Sequence, residues 1–231
     1  MSGPSLFSAP SVRSPPSQDW VRLAATWFAA AAIAGPLGIV LHELAHFIPA
    51  AAFGFEGAAL RSTSIDYAQH NPFWYAFRTE SVEAASRILP VWQVGVVTAS
   101  GIVVTLALAV IAAVLAPGWG LATFGGATLA SFALLAPLRG YTALLYIVRV
   151  RPRYPEAFPN VDEFRAAQVT GVPVEVWVVL GAVVVLFCWV RLVPKLRIDV
   201  GRGLLVAMPA LVVGTVAGVV VWIYVGGLLL G

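Results

Sequence analysis

The chain has 231 residues, 60% hydrophobic and only 11% charged, with a formal net charge of +3. A water-soluble domain carries about 25% charged residues, so too little polar surface is present to cover a soluble exterior. The positive balance sits in arginines beside apolar runs, which suits phospholipid headgroups, and no basic helix or basic–aromatic repeat of the kind that reads nucleic acid is present.

Residues 1–19 are rich in Ser and Pro, lack periodicity and read as a disordered tail. Residues 20–231 read as a single transmembrane domain, and the fold class expected is an all-α polytopic membrane protein of about five to six spans. The first span runs from near Trp20 to about Phe53, with Gly35-Pro36 expected to kink or split it. Residues 54–87 form a polar insert. Within it, Ala58 to Tyr67 suits a short strand or β-hairpin, Asn71 to Phe77 suits the membrane interface, and 79–87 suits a short surface helix.

From Ile88 to Leu138 no residue is charged. That run predicts a second span over 88–116 and a third over 120–149, with Pro117-Gly118-Trp119-Gly120 as the turn and Pro137 as a kink. A second polar segment covers 150–172 and contains Asp162 and Glu163. Further spans follow at 173–193 and 203–229, separated by a basic turn with Lys195, Arg197 and Arg202. The last span holds Gly214-Thr215-Val216-Ala217-Gly218, a spacing that permits close helix packing within the chain. The single cysteine, Cys188, lies in an apolar run and reads as a packing or lipid-facing residue.

The chemistry is carried by His42-Glu43-Leu44-Ala45-His46 in the first hydrophobic helix. Histidines at i and i+4 project from one helix face, one turn apart, so both imidazoles can reach one metal ion. Glu43 follows the first histidine and is placed to act as general base toward an attacking water. Two of the chain's three histidines belong to this motif, and ionisable groups in a span cost about 2.5–3.5 kcal/mol each on insertion scales. The third, His70, reads as a solvated loop histidine.

A hydrolytic zinc centre takes three protein ligands and keeps one position open. The segment after the third span returns to the side of the membrane where His46 ends the first. That topology brings Asp162 or its neighbour Glu163 toward the histidines, with Asp162 favoured and Glu163 the alternative. Pro155 and Pro159 keep the preceding stretch from being a plain helix, and broken backbone at membrane depth is tolerated where it lines a cavity.

These features together resemble the site-2 protease family of intramembrane zinc metalloproteases. The resemblance covers about residues 37–168 and rests on three stretches in order. They are His42–His46, Ala99-Ser100-Gly101 at the head of a long apolar run, and Ala157-Phe158-Pro159-Asn160-Val161-Asp162. It implies zinc held by His42, His46 and Asp162, with Glu43 as base. It also implies a transmembrane protein or peptide as substrate and a multi-pass location, in the cell membrane. The chain departs from the family pattern after the third ligand, where Glu163 replaces a glycine. Three other functions compete with the site-2-protease reading. One is a catalytically inactive helix-binding scaffold, and another is a prenyl-protein-type membrane metalloprotease with Glu80, Glu83 or Glu163 as third ligand. The last is a transporter built around Arg139 in the third span.

Overall fold

The computed structural model describes residues 17–150, 152 and 161–230, so the tail up to residue 16, the Pro155–Pro159 stretch and the side chain of Arg139 lie outside the description. Helix α1 (Ser17–Ala52) begins inside the expected tail and runs unbroken through Pro36 and Pro49. The expected split at Gly35-Pro36 does not occur. A proline removes one N–H from the ladder, and tertiary packing holds the flanking turns. A Cβ on Gly35 would lie 3.2 Å from methyls of Thr215 and Val219 in the last helix.

The polar insert folds back beside α1. Strands β1 (Ala59–Leu60) and β2 (Ile65–Asp66) form the expected antiparallel hairpin, pairing Ala59 with Asp66 and Leu60 with Ile65. Helix α2 (His70–Thr79) follows, and then α3 (Val82–Ser86), whose first turn is capped by the Ser81 hydroxyl accepting from the Ala84 N–H. Part of the aromatic stretch is structural. Phe73 and Trp74 are buried with Phe55, Tyr67, Val94 and Val97. Helical periodicity explains the difference: positions 73, 74 and 77 share one face, and the insert has its own small core to fill.

Helix α4 (Val91–Trp119) carries through Pro117 and ends at Gly120, whose φ of 77° suits glycine. The expected third span is not one helix. It consists of α5 (Phe124–Leu135), a 3₁₀ turn at Ala136–Arg139, α6 (Gly140–Leu145) and a π-turn at Tyr146–Val150. Pro137 lacks the N–H that would bond the Ala133 carbonyl, and the break falls there. Helix α7 (Asp162–Thr170) opens on Asp162, and α8 (Val174–Asp199) and α9 (Leu204–Leu230) complete the chain. Among the described residues, four helices are long and apolar enough to cross a membrane, fewer than the five to six expected. They are α1, α4, α8 and α9.

Helix α1 sits at the centre, packed on α9, α4 and α5. Close approach to α9 depends on Gly214 and Gly218, where any Cβ would strike the carbonyl oxygens of Phe28 and Ala32. The small-residue spacing read from sequence therefore serves packing within the chain. The core between helices is rich in alanine around Trp27, and Cys188 is buried in it, its thiol 3.7 Å from the Ala109 carbonyl. The outward faces of α8 and α9 are apolar, with Leu186, Val190, Leu205 and Leu228 exposed.

Candidate metal centre

His42 and His46 lie one turn apart on α1, both buried, with ring centres 4.7 Å apart and nearly perpendicular planes. Asp162 reaches them from the first turn of α7, where the helix N-terminus favours an anion. His42 Nε2 lies 2.8 Å from Asp162 Oδ2, His46 Nε2 lies 3.5 Å from the same oxygen, and the two Nε2 atoms are 3.0 Å apart. One ligand atom from each of the three residues lies within 4.8 Å of the other two. Ligand atoms around a tetrahedral zinc with bonds of about 2.0–2.1 Å stand roughly 3.3 Å apart, close to the separations here.

The far side of each ring is also held. His46 Nδ1 lies 2.6 Å from the Val97 carbonyl oxygen, which can only accept, so Nδ1 carries a proton and Nε2 is the nitrogen that faces the site. His42 Nδ1 lies 2.9 Å from the Thr105 hydroxyl. Such outer partners fix the tautomer and the ring orientation of metal-binding histidines. The Asp162 side chain is 26% exposed. Burial acts to raise its pKa, but the hydrogen bonds from His42 and His46 outweigh it and hold the carboxyl well below the usual carboxylate range. The chemistry of this donor set, two imidazole nitrogens and an ionised carboxylate oxygen, suits zinc.

Helix α4 supplies the close fit. A Cβ on Gly101 would press on the Nε2 and Cε1 atoms of His46 well inside contact distance, so glycine leaves room for the ring. One residue earlier, the Ser100 hydroxyl lies 2.8 Å from the Ala45 carbonyl and 2.7 Å from the Val97 carbonyl, tying α4 to α1 beside the site.

The centre opens into a cavity of about 380 Å³, within the usual range for ligand sites of about 300–1,000 Å³. Glu43, 5% exposed, lines it beside the histidines, and the β-hairpin borders it through Thr63, Ser64 and Ile65. The hairpin is fastened from behind. Trp222 Nε1 donates to the Ser62 carbonyl at 2.8 Å, and Arg61 donates to the Leu230 carbonyl at 3.2 Å.

No family model matches the chain, and no curated protein or solved structure matches it either. What the molecule does must therefore be argued from this centre. Of the residues named from sequence, His42, His46 and Asp162 converge, and Glu43 lines the same cavity. Glu163 is buried at its edge but outside the three-residue group, and Glu80 and Glu83 are exposed on the insert. His70 departs from its expected place in solvent: it is half-buried at the start of α2 and lines the cavity. Thr105, Gly101 and the Val97 carbonyl were not singled out as partners of the histidines. The polar and small positions Thr98, Gly101 and Thr105 recur at helical spacing along one face of an otherwise apolar α4, and that stripe was their signal.

Burial pushes the His70 imidazole down from 6.5 to about 4, with the Arg165 charge acting in the same direction. The unfolded chain therefore takes up this proton at a higher pH than the folded one. Stability falls as pH drops from the unfolded value toward the folded one, and the loss levels off below it. Melting curves are expected to show a larger fall between about pH 7 and about pH 5 for wild type than for His70→Gln. Equal falls would mean that His70 titrates alike in both states.

Proposed function

We propose that the protein is an intramembrane zinc metalloprotease that cleaves a membrane-anchored substrate. The observation that carries this reading is the convergence of His42, His46 and Asp162 on one point, with Glu43 lining the same buried cavity. The apolar outward faces of α8 and α9 support a multi-pass location in the bilayer, with the broken segment from α5 to Val150 read as a further crossing beside the four long helices.

His42, His46 and Asp162 would hold a zinc ion, which when bound would supply Lewis acidity for the scissile carbonyl and the attacking water. The residues of the chain do the rest. His42 and His46 are locked by Thr105 and Val97, so the donor set is organised before substrate arrives. Glu43 takes the proton of the attacking water and delivers it to the leaving amine. The polar cavity admits water, which hydrolysis consumes, while the surrounding helices present apolar surface to a substrate helix.

The test is zinc content per chain in protein purified through a tag that binds no metal. Wild type is expected to hold close to one zinc, His46→Ala and Asp162→Ala to lose it, and Glu163→Ala to keep it. Loss in Glu163→Ala with retention in Asp162→Ala would transfer the third ligand to Glu163 and favour the prenyl-protease arrangement. A well-folded wild type that takes up no zinc would leave the helix-binding scaffold as the better reading.

A further inference from the structure

The cavity has a second wall that the metal centre does not use, formed by Tyr67, His70, Trp74 and Arg165. The Arg165 guanidinium lies over the Trp74 ring, 5.5 Å from its centre. Among the described residues, Arg165 Nε, Trp74 Nε1 and His70 Nδ1 are all buried with no hydrogen-bond partner. Trp74 itself is only 5% exposed. Buried polar atoms are nearly always paired, so three unpaired ones on one wall of a cavity mark a place where a ligand supplies the partners.

The charge pattern says what kind of ligand. Glu43, Asp66, Asp162 and Glu163 also line the cavity, and Arg165 is the permanent cation among the described lining residues. Asp162 is turned to the histidines, and Asp66 lies 3.7 Å from Arg61. The four carboxylates repel an anionic group over most of the cavity, and apart from the metal centre Arg165 is the place that attracts one. A guanidinium presents a planar edge of N–H donors, and that edge matches a carboxylate with two parallel hydrogen bonds.

The geometry points to this wall as a carboxylate subsite: the bound peptide carries a carboxylate that seats on Arg165 and fixes which bond reaches the metal centre. The carboxylate belongs to an Asp or Glu side chain or to a free C-terminus. The statement about which bond is presented rests on the proteolytic reading above, whereas the binding itself does not.

The test uses full-length Glu43→Gln protein in detergent with zinc supplied, and four fluorescent apolar peptides. They carry a central Glu or Gln, each with a free or amidated C-terminus, and binding is read by anisotropy. A carboxylate-bearing peptide is expected to bind about tenfold tighter than the neutral Gln amide, and Arg165→Gln to erase that advantage. An advantage that follows Glu assigns a side chain, and one that follows the free end assigns the α-carboxylate. Equal binding of all four peptides, or an advantage that survives Arg165→Gln, would overturn the subsite. Should Arg165→Gln fold poorly, Trp74→Phe keeps a ring under the guanidinium and removes the indole N–H. It is expected to shrink the advantage severalfold, and an unchanged advantage counts against the subsite. Cleavage of the same peptides by wild type is followed by mass spectrometry. Carboxylate preference without cleavage refutes proteolysis and keeps the subsite, and cleavage without preference does the reverse.

Discussion

Replacing Glu43 with glutamine is expected to slow peptide cleavage about a thousandfold while leaving zinc content unchanged. The substitution keeps the size of the side chain and removes its ability to take a proton. Glu43 is not among the three converging ligands, so the metal stays. Single-turnover cleavage and elemental analysis on the same preparation check both halves. Full activity in Glu43→Gln would remove the general base from the mechanism. Loss of zinc together with activity would make Glu43 part of the metal-holding structure.

The second large effect is expected from a residue with no functional group at all. Gly101→Ala adds one methyl, and that methyl collides with the Nε2 and Cε1 atoms of His46. The ring must rotate out, losing both the inward placement of Nε2 and its hydrogen bond to Val97. Zinc affinity is expected to fall at least about a hundredfold, the upper end of what disturbed outer partners cost. Gly95→Ala, on the same helix, is the control, because its methyl would meet Thr170 at an ordinary 3.5 Å. It should bind zinc as wild type does. Equal zinc affinity in Gly101→Ala and wild type would show that His46 has other room to occupy.

Much of this architecture was legible in the sequence, and the misreadings have physical causes. The motif on α1 could be read because its spacing is local: a helix period alone brings His42 and His46 together. The hairpin between Ala59 and Asp66 could be read because the segment lacks helix signals. Asp162 could be approached only through topology, since 116 positions of chain separate it from His46. The broken third span was hidden because hydropathy measures length of apolar chain, not continuity of hydrogen bonds, and Pro137 decides the latter. The donor wall escaped because its four residues come from the insert and from α7, and each taken singly reads as an ordinary aromatic or solvated residue. Gly101 escaped as a constraint because a glycine in an apolar run carries no local sign of what presses against it.

The order in which the chain is made gives the pairing of α1 with α9 a further meaning. The helix bearing both histidines is made before its packing partner, and α9 follows every other described element. The hairpin bordering the cavity is likewise pinned by Trp222 and Leu230, near the end of α9. Until α9 arrives, Phe28 and Ala32 have no glycines to nest against and the hairpin has no anchor. The cavity beside His42, His46 and Asp162 therefore reaches its described packing only after α9 is made, later than every residue that converges there.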